Sequence, residues 1–353
     1  MSETTDRTPL LPQPVQAKGK TCPPDHPSQP SQSGPPDQSG GQGSQPGPSD
    51  SHPIYLRACH SSWSIIDQRL LLLLRLIFAG YLSAVFGVSL KYKIDNVDDK
   101  HTPWRIPFQF STVSFCVQWA WHLQVTLWTV MHLIFPKAIE INPDECQGHQ
   151  FRAHILRCLS PPNKARCPIR RFCFSMYYTI AHIFPFMNTL IYWGCLVPAG
   201  HGGFKPPHMP HHHGNPCGNS TIKYPDKGLF ELEPIDSFSI INVWSITSII
   251  ALIEICFLNS IRRQTPITGH TVGVMFCSGA YLAWAVIGKL LTGHAGLFFL
   301  DSDIMSEMPG AIIATCIVFI AVSPGVFSYM YGLVAMRETI TAIHHEPSSS
   351  SSC

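Results

Sequence analysis

Charge is what this chain lacks most. Only 13% of its 353 residues are Asp, Glu, Lys or Arg, against about 25% in ordinary soluble domains. The net charge is +2, and the basic residues are scattered with no groove-sized cluster, which argues against nucleic acid as a partner. There are 13 cysteines but no C-x-x-C pair, so zinc ribbons and thioredoxin-type redox sites lack their basic spacing. No G-x-S-x-G elbow, Walker loop or H-E-x-x-H helix is present. Neither a cofactor nor a resident metal is expected. A cleavable signal peptide is also missing. The first apolar run begins near Leu70, too deep for one, so the first span should direct its own insertion.

What the chain has instead is long apolar runs. Six stand out, at Leu70–Leu90, Phe108–Phe135, Phe174–Val197, Ser239–Leu258, Thr271–Leu291 and Gly310–Met336. Each is near the roughly 20 residues that a helix needs to cross a bilayer, and each reads as apolar nearly all round, unlike the single stripe of a soluble core helix. The expected fold is all-α, a polytopic membrane bundle of six transmembrane helices over residues 54–340, with the lipid bilayer as its surroundings. Residues 1–53 are rich in Pro, Ser, Gln and Gly and read as a disordered tail, because they cannot bury enough apolar surface to order themselves. Residues 341–353, with their serine run, read as a second disordered end.

Orientation follows from basic residues near the span ends. Lys137, Arg152, Arg157, Lys164, Arg166, Arg170 and Arg171 follow span two, and Arg262 and Arg263 follow span four. Both loops should be cytosolic. The loop after span five carries Asp301, Asp303 and Glu307 without a Lys or Arg, so it should face the other side. Both termini then lie in the cytosol. The sequon Asn219-Ser220-Thr221 falls in a loop on the non-cytosolic side, where glycosylation occurs. In the tail, Asp6 stands ahead of the pair Leu10-Leu11, the form of an acidic dileucine signal read by adaptor proteins. This places the protein in an endosomal, lysosomal or vacuolar membrane; the endoplasmic reticulum and plasma membrane remain open. The histidines at 201, 208 and 211–213, with Cys217, are broken by prolines and read as a solvated loop.

Within the spans, Glu254 is the residue that demands a reason, since a carboxyl at that depth is costly. His122, Gln124, His182 and Asn188 are its candidate partners. Arg75 and Lys289 lie near span ends and are expected to snorkel to the interface. Ser111 and Thr112 open span two, as helix caps or as nucleophiles.

Several stretches resemble a superfamily of six-span membrane proteins that joins the Rolling stone proteins to the androgen-induced membrane hydrolases. They are Tyr281-Leu282-Ala283-Trp284, Thr292-Gly293, Phe299-Leu300-Asp301, Glu254 ahead of Pro266, Phe184-Pro185 and Gln109-Phe110-Ser111-Thr112. The resemblance covers residues 70–336. It implies a hydrolase-type site with a Thr nucleophile at the head of span two, and a His ten residues before the acid of span four. The implied reaction is cleavage of fatty acid esters of hydroxy fatty acids. Here Ser111 or Thr112 matches the nucleophile, but the His position is Trp244, and indole is no base. Two readings follow. One is a non-enzymatic or catalytically degenerate membrane protein. The other is a lipid hydrolase whose base has moved to His122 or His182. In either case a single pocket lined by Ser111, Thr112, His122, His182, Asn242 and Glu254 is expected, with Trp244 filling the space of the family's His.

Overall fold

The structure, a computed structural model, describes residues 54–95, 103–134, 161, 168–199, 202–205, 227–293, 296–297 and 309–345. Asp6, Leu10, Leu11, Asn219 and the histidines between 201 and 213 lie outside the described residues.

The described chain is helical. A short helix α1 (Ile54–Ala58) leads to α2 (Gln68–Asp95), a 3₁₀ segment (Pro103–Phe108) and α3 (Phe110–Ile134). Helix α4 (Pro168–Ile191) runs on through a π-helical turn, Tyr192–Leu196. Helix α5 (Pro234–Leu258) contains two further π turns, at Asn242–Ile246 and Glu254–Leu258. Helix α6 (Ile267–Thr292) ends on Gly293, whose φ of 79° suits the left-handed cap that glycine adopts without strain. Helix α7 (Pro309–His345) is the longest and runs past residue 340. No strand occurs among the described residues. Lys205 and Gly228 form one isolated bridge.

Four of these helices, α2, α5, α6 and α7, are long and apolar enough to cross a membrane. Their outward faces carry exposed Leu73, Ile77, Phe276, Leu290 and Ile317, side chains that suit hydrocarbon rather than water. Helices α3 and α4 differ from the expectation of spans apolar all round. Each carries a buried polar stripe at helical spacing: Gln118, His122, Thr126 and Thr129 on α3, and Ser175, Thr179 and His182 on α4. These stripes lower their hydropathy. They are tolerable because α4 packs among α3, α5, α6 and α7, while α3 packs between α2 and α4. Trp121, wholly buried between them, has its ring within 5.5 Å of those of Phe174, Tyr177 and Tyr178.

The C-terminal end of α5 stops inside the protein, where its last carbonyls have no helical partner. Side chains supply the donors. Trp63 Nε1 reaches Cys256 O at 2.7 Å, Ser61 Oγ reaches Phe257 O at 2.6 Å, and Asn259 Nδ2 reaches Glu254 O at 2.9 Å. Arg75 Nη2 donates to Leu258 O at 2.6 Å and to Ala58 O at 2.5 Å. Arg337 Nη1 donates to Ile255 O at 2.7 Å and to Asn259 O at 3.0 Å. Two guanidinium groups therefore sit at the negative end of the helix dipole, where cations are favoured. This corrects the expectation for Arg75. It does not snorkel; it is wholly buried, because the unpaired carbonyls lie in the interior and only a long cation reaches them.

At the opposite end of the bundle, Gly296 packs against the segment leading into α3. Its carbonyl accepts from Phe110 N at 3.3 Å. A Cβ built on it would stand 1.8 Å from Phe108 O, a backbone atom that cannot swing aside. Gly296→Ala should therefore destabilise by about 1–3 kcal/mol, the usual range for overpacking. The check is the thermal midpoint in detergent, with Gly325→Ala as control, since nothing lies within 4 Å of its Cβ. Equal midpoints for the two variants would contradict the clash.

Candidate functional site

The residues expected to share one pocket divide between two places. Ser111 and Thr112 begin α3, whereas His122 lies eleven residues further along the same helix, about 16 Å away at 1.5 Å per residue. Glu254 stands near the C-terminal end of α5, 3.7 Å from Arg75. The single-pocket expectation is therefore corrected, and neither histidine is placed to take a proton from Ser111 or Thr112.

The first place is a cavity of about 550 Å³ between the end of α2, the head of α3, the end of α4 and the first half of α5. Lys93, Gln109, Ser111, Asp236 and Ser239 give it polar wall, and Ile191, Leu196, Leu232, Ile240, Trp244 and Leu297 give it apolar wall. Gly203 and Leu232 bring the segments 202–205 and 227–233 to its rim, tied together by Lys205 N donating to Lys227 O at 2.8 Å. Tyr192 OH anchors that rim by donating to Gly202 O at 2.6 Å.

Lys93 organises the polar wall. Its Nζ donates to Gln109 Oε1 at 2.9 Å, Thr112 Oγ1 at 3.0 Å and Ser111 Oγ at 3.5 Å. An ammonium has three N–H donors and no acceptor, so these contacts use all of them. As an ammonium, Lys93 donates to both hydroxyls and cannot receive their protons. A smaller crevice beside it is lined by Phe86, Ser89, Ile106, Thr112 and Phe115. Tyr92 OH donates to Asp236 Oδ1 on α5, and Tyr81 OH to Asn242 Oδ1. Both pairs fasten α2 to α5, the first of them at the cavity wall. Trp244 lines the cavity half-buried, its ring stacked on Tyr192 with centroids 4.4 Å apart and planes at 15°. The π turn Asn242–Ile246 that carries it widens the helix, a distortion common near functional sites.

The second place is buried between α2, α3, α4 and α5. Glu254 is wholly buried, and its Oε1 lies 3.7 Å from Arg75 Nη2. That is an ion pair without a hydrogen bond, because Arg75 spends its Nη1 and Nη2 donors on carbonyls and on Thr129 Oγ1. Both Glu254 oxygens, both His122 nitrogens and His182 Nε2 are buried with no hydrogen-bond partner among the described residues. Gln124 is half-buried and Asn188 instead donates to Val243 O at 2.9 Å.

Sequence reasoning missed three residues of the first place: Lys93, Tyr92 and Asp236. A lysine just past an apolar span reads as an interfacial anchor, and nothing local marks it as turned inward. It also missed Ser175 Oγ, which lies 2.9 Å from His270 Nε2, while His270 Nδ1 is 3.0 Å from Pro266 O. That pair is buried between α4 and α6 and lines neither cavity, so it serves as a hydrogen bond between helices. Cys59, outside the long helices, is no nucleophile either, since burial pushes its thiol up to about 12. Among the described residues no three His, Cys, Asp or Glu side chains gather to hold a metal ion.

The chain matches no family model, no curated protein and no solved structure.

Proposed function

We propose that this protein is a six-span integral membrane protein that binds the polar end of an amphipathic, lipid-derived molecule and does not hydrolyse it. In this reading α3 and α4 are the two further spans, and their polar stripes are screened from lipid by the four apolar helices. The resemblance to the Rolling stone and androgen-induced superfamily is part of the proposal, and so are cytosolic termini and a glycosylated Asn219. The observation that carries the binding role is the 550 Å³ cavity, whose polar wall centres on Lys93 and whose remaining wall is apolar. Pockets of several hundred Å³ with few, placed polar groups are the usual form of small-molecule sites. Against hydrolysis stands the lack of a histidine or carboxylate bonded to Ser111 or Thr112 among the described residues. Attack by a hydroxyl needs a neighbour to take its proton, Trp244 has no such capacity, and Lys93 donates to Ser111 and Thr112.

The test is a photoactivatable fatty acid with its reactive group near the carboxyl end, added to membranes holding the full-length protein. Crosslinked peptides should come from the Tyr92–Ser111 and Asp236–Trp244 regions. Crosslinks confined to the outward faces of α6 and α7 would mean that the probe reports bulk lipid and the cavity is no site. Topology is checked separately on sealed microsomes. External protease should remove the N-terminal tail, and glycosidase should shift the wild type but not Asn219→Gln. A protected tail would invert the orientation.

A further inference from the structure

The cavity between α2, α3, α4 and α5 is lined by two charged side chains of opposite sign, Lys93 and Asp236, and by no third among the described residues. They are not paired with each other. Lys93 Nζ is bonded to Gln109 Oε1, Thr112 Oγ1 and Ser111 Oγ around the head of α3, whereas Asp236 Oδ1 accepts from Tyr92 OH. The separation begins in the chain. Tyr92 and Lys93 are consecutive on α2, and successive helical residues point about 100° apart, so one serves α5 and the other α3. On α5, Asp236, Ser239, Ile240 and Val243 recur at helical spacing along the same wall.

The two ends offer opposite chemistry. Ser111 Oγ accepts from Lys93, so its own O–H can donate, and the amide N–H groups of Gln109 are donors as well. That corner presents donors backed by a positive charge. At the other end, Asp236 Oδ2 is an acceptor to which no described residue donates, since the one bond to this side chain goes to Oδ1. Ser239 Oγ, one turn further along, is buried with no hydrogen-bond partner among the described residues, and buried polar atoms are nearly always paired. A ligand carrying only a negative charge would meet Lys93 but be repelled by Asp236. A ligand carrying only a positive charge would meet the reverse. Apolar walls strengthen both effects, because little water screens them. A head with both signs complements both ends at once.

We propose, resting on the lipid-binding reading above, that the cavity selects a zwitterionic head: an acid group joined to a primary ammonium, on an acyl chain. The acid group accepts from Ser111 and Gln109 beside Lys93. The ammonium donates to Asp236 Oδ2 and to Ser239 Oγ. The chain lies against Ile191, Leu196 and Leu232. Asp236 is then the residue that sets specificity, since Lys93 alone would hold any acid.

The experiment is saturable photocrosslinking to the full-length protein in maltoside micelles, which bring no competing charged head. The probes are a photoactivatable lysophosphatidylethanolamine and the same lipid with its amine acetylated, which keeps the acid and removes the ammonium. The free amine should half-saturate labelling of the Tyr92–Ser111 and Asp236–Trp244 regions at a roughly tenfold lower concentration, the factor expected of one hydrogen bond to a charged group. Asp236→Asn should erase that preference. Its amide oxygen still accepts from Tyr92, so the contact between α2 and α5 is kept. An O-acylserine probe, compared with its own acetylated form, puts a carboxylate in place of the phosphate. A preference for the free amine in either pair supports the proposal, and the stronger pair identifies the acid group. Equal labelling by free and acetylated forms of both lipids would overturn it while leaving the lipid site standing, and that comparison needs no variant to fold. A preference that survives in folded Asp236→Asn would overturn it too. No labelling of the cavity regions by any probe would sink the lipid-binding reading itself, and the zwitterion with it.

Discussion

Arg75→Met should abolish recovery of folded protein from membranes, while Glu254→Gln should be recovered in a reduced but measurable amount. The arginine performs two tasks at once. It neutralises a carboxylate buried 3.7 Å away, and it supplies the donors for Ala58 O and Leu258 O. Breaking a buried ion pair from one side costs about 3–5 kcal/mol, because the remaining charge is left without compensation. Each carbonyl left unpaired in the interior adds about 1–3 kcal/mol. Together these approach the whole stability of a typical domain, about 5–15 kcal/mol. Glu254→Gln is different in kind. It too leaves one charge of the pair without its partner, but no carbonyl is left bare and Arg75 keeps its four acceptors, so its cost should be the smaller. Arg75→Lys should fall between the two, since an ammonium keeps the charge but lacks the planar fork that reaches α1, α3 and α5 together. The measurement is the monodisperse fraction on size-exclusion chromatography after mild detergent extraction. Comparable fractions for Arg75→Met and wild type would show that the clamp is dispensable.

How much of this was legible beforehand differs from element to element. The positions of the long helices followed from hydropathy alone, since a helix that faces hydrocarbon must be apolar along its length. The inner character of α3 and α4 was also written in the chain, as Gln118, His122, Thr126 and Thr129 at intervals of four, four and three. That stripe was passed over because the helices were read as apolar all round. Arg75 was misread for a different reason. One arginine near the end of a span looks like an interfacial anchor, and its acceptor Leu258 O is 183 residues away. Nothing near Arg75 in sequence announces that α5 ends in the interior and needs donors. The candidate site shows the same division. Ser111, Thr112 and Trp244 were singled out and do lie at or beside one cavity. Lys93 and Asp236 were not, because their inward turn depends on how α2 meets α3 and α5. His122 and His182 were read both as candidate partners of Glu254 and as a relocated base for the hydroxyls, and Ser111 and Thr112 are in fact bonded by Lys93. Spacing along α3 could have excluded His122 from the start, since eleven residues of helix span about 16 Å.

The cavity makes the last prediction, which concerns Lys93. Lys93→Met should weaken retention of a carboxylate-bearing fatty acyl probe roughly tenfold or more. A hydrogen bond to a charged group contributes about 1.5–3 kcal/mol, and about 1.4 kcal/mol is a factor of ten in binding. The methionine keeps the length and apolar stem, so the wall of the cavity keeps its shape. Gln109, Ser111 and Thr112 would lose the cation that now draws their oxygens to one point. Ser111→Ala should have a smaller effect, about threefold, because it removes one neutral acceptor and leaves the charge. The same variants separate binding from catalysis. If either hydroxyl were a nucleophile, a lipid-directed fluorophosphonate would label the wild type, and Ser111→Ala or Thr112→Ala would erase the label. The expectation is no labelling at either residue and no hydrolysis of fatty acid esters of hydroxy fatty acids above the protein-free rate. Trp244→His tests the point from the other side, since it restores the imidazole that the resemblance expects. It should abolish the stack on Tyr192 and still yield no turnover while Lys93 holds both hydroxyls as their donor. Esterase activity in the unaltered protein, lost with Thr112→Ala and with Lys93→Met alike, would instead make Lys93 the base and the protein an enzyme.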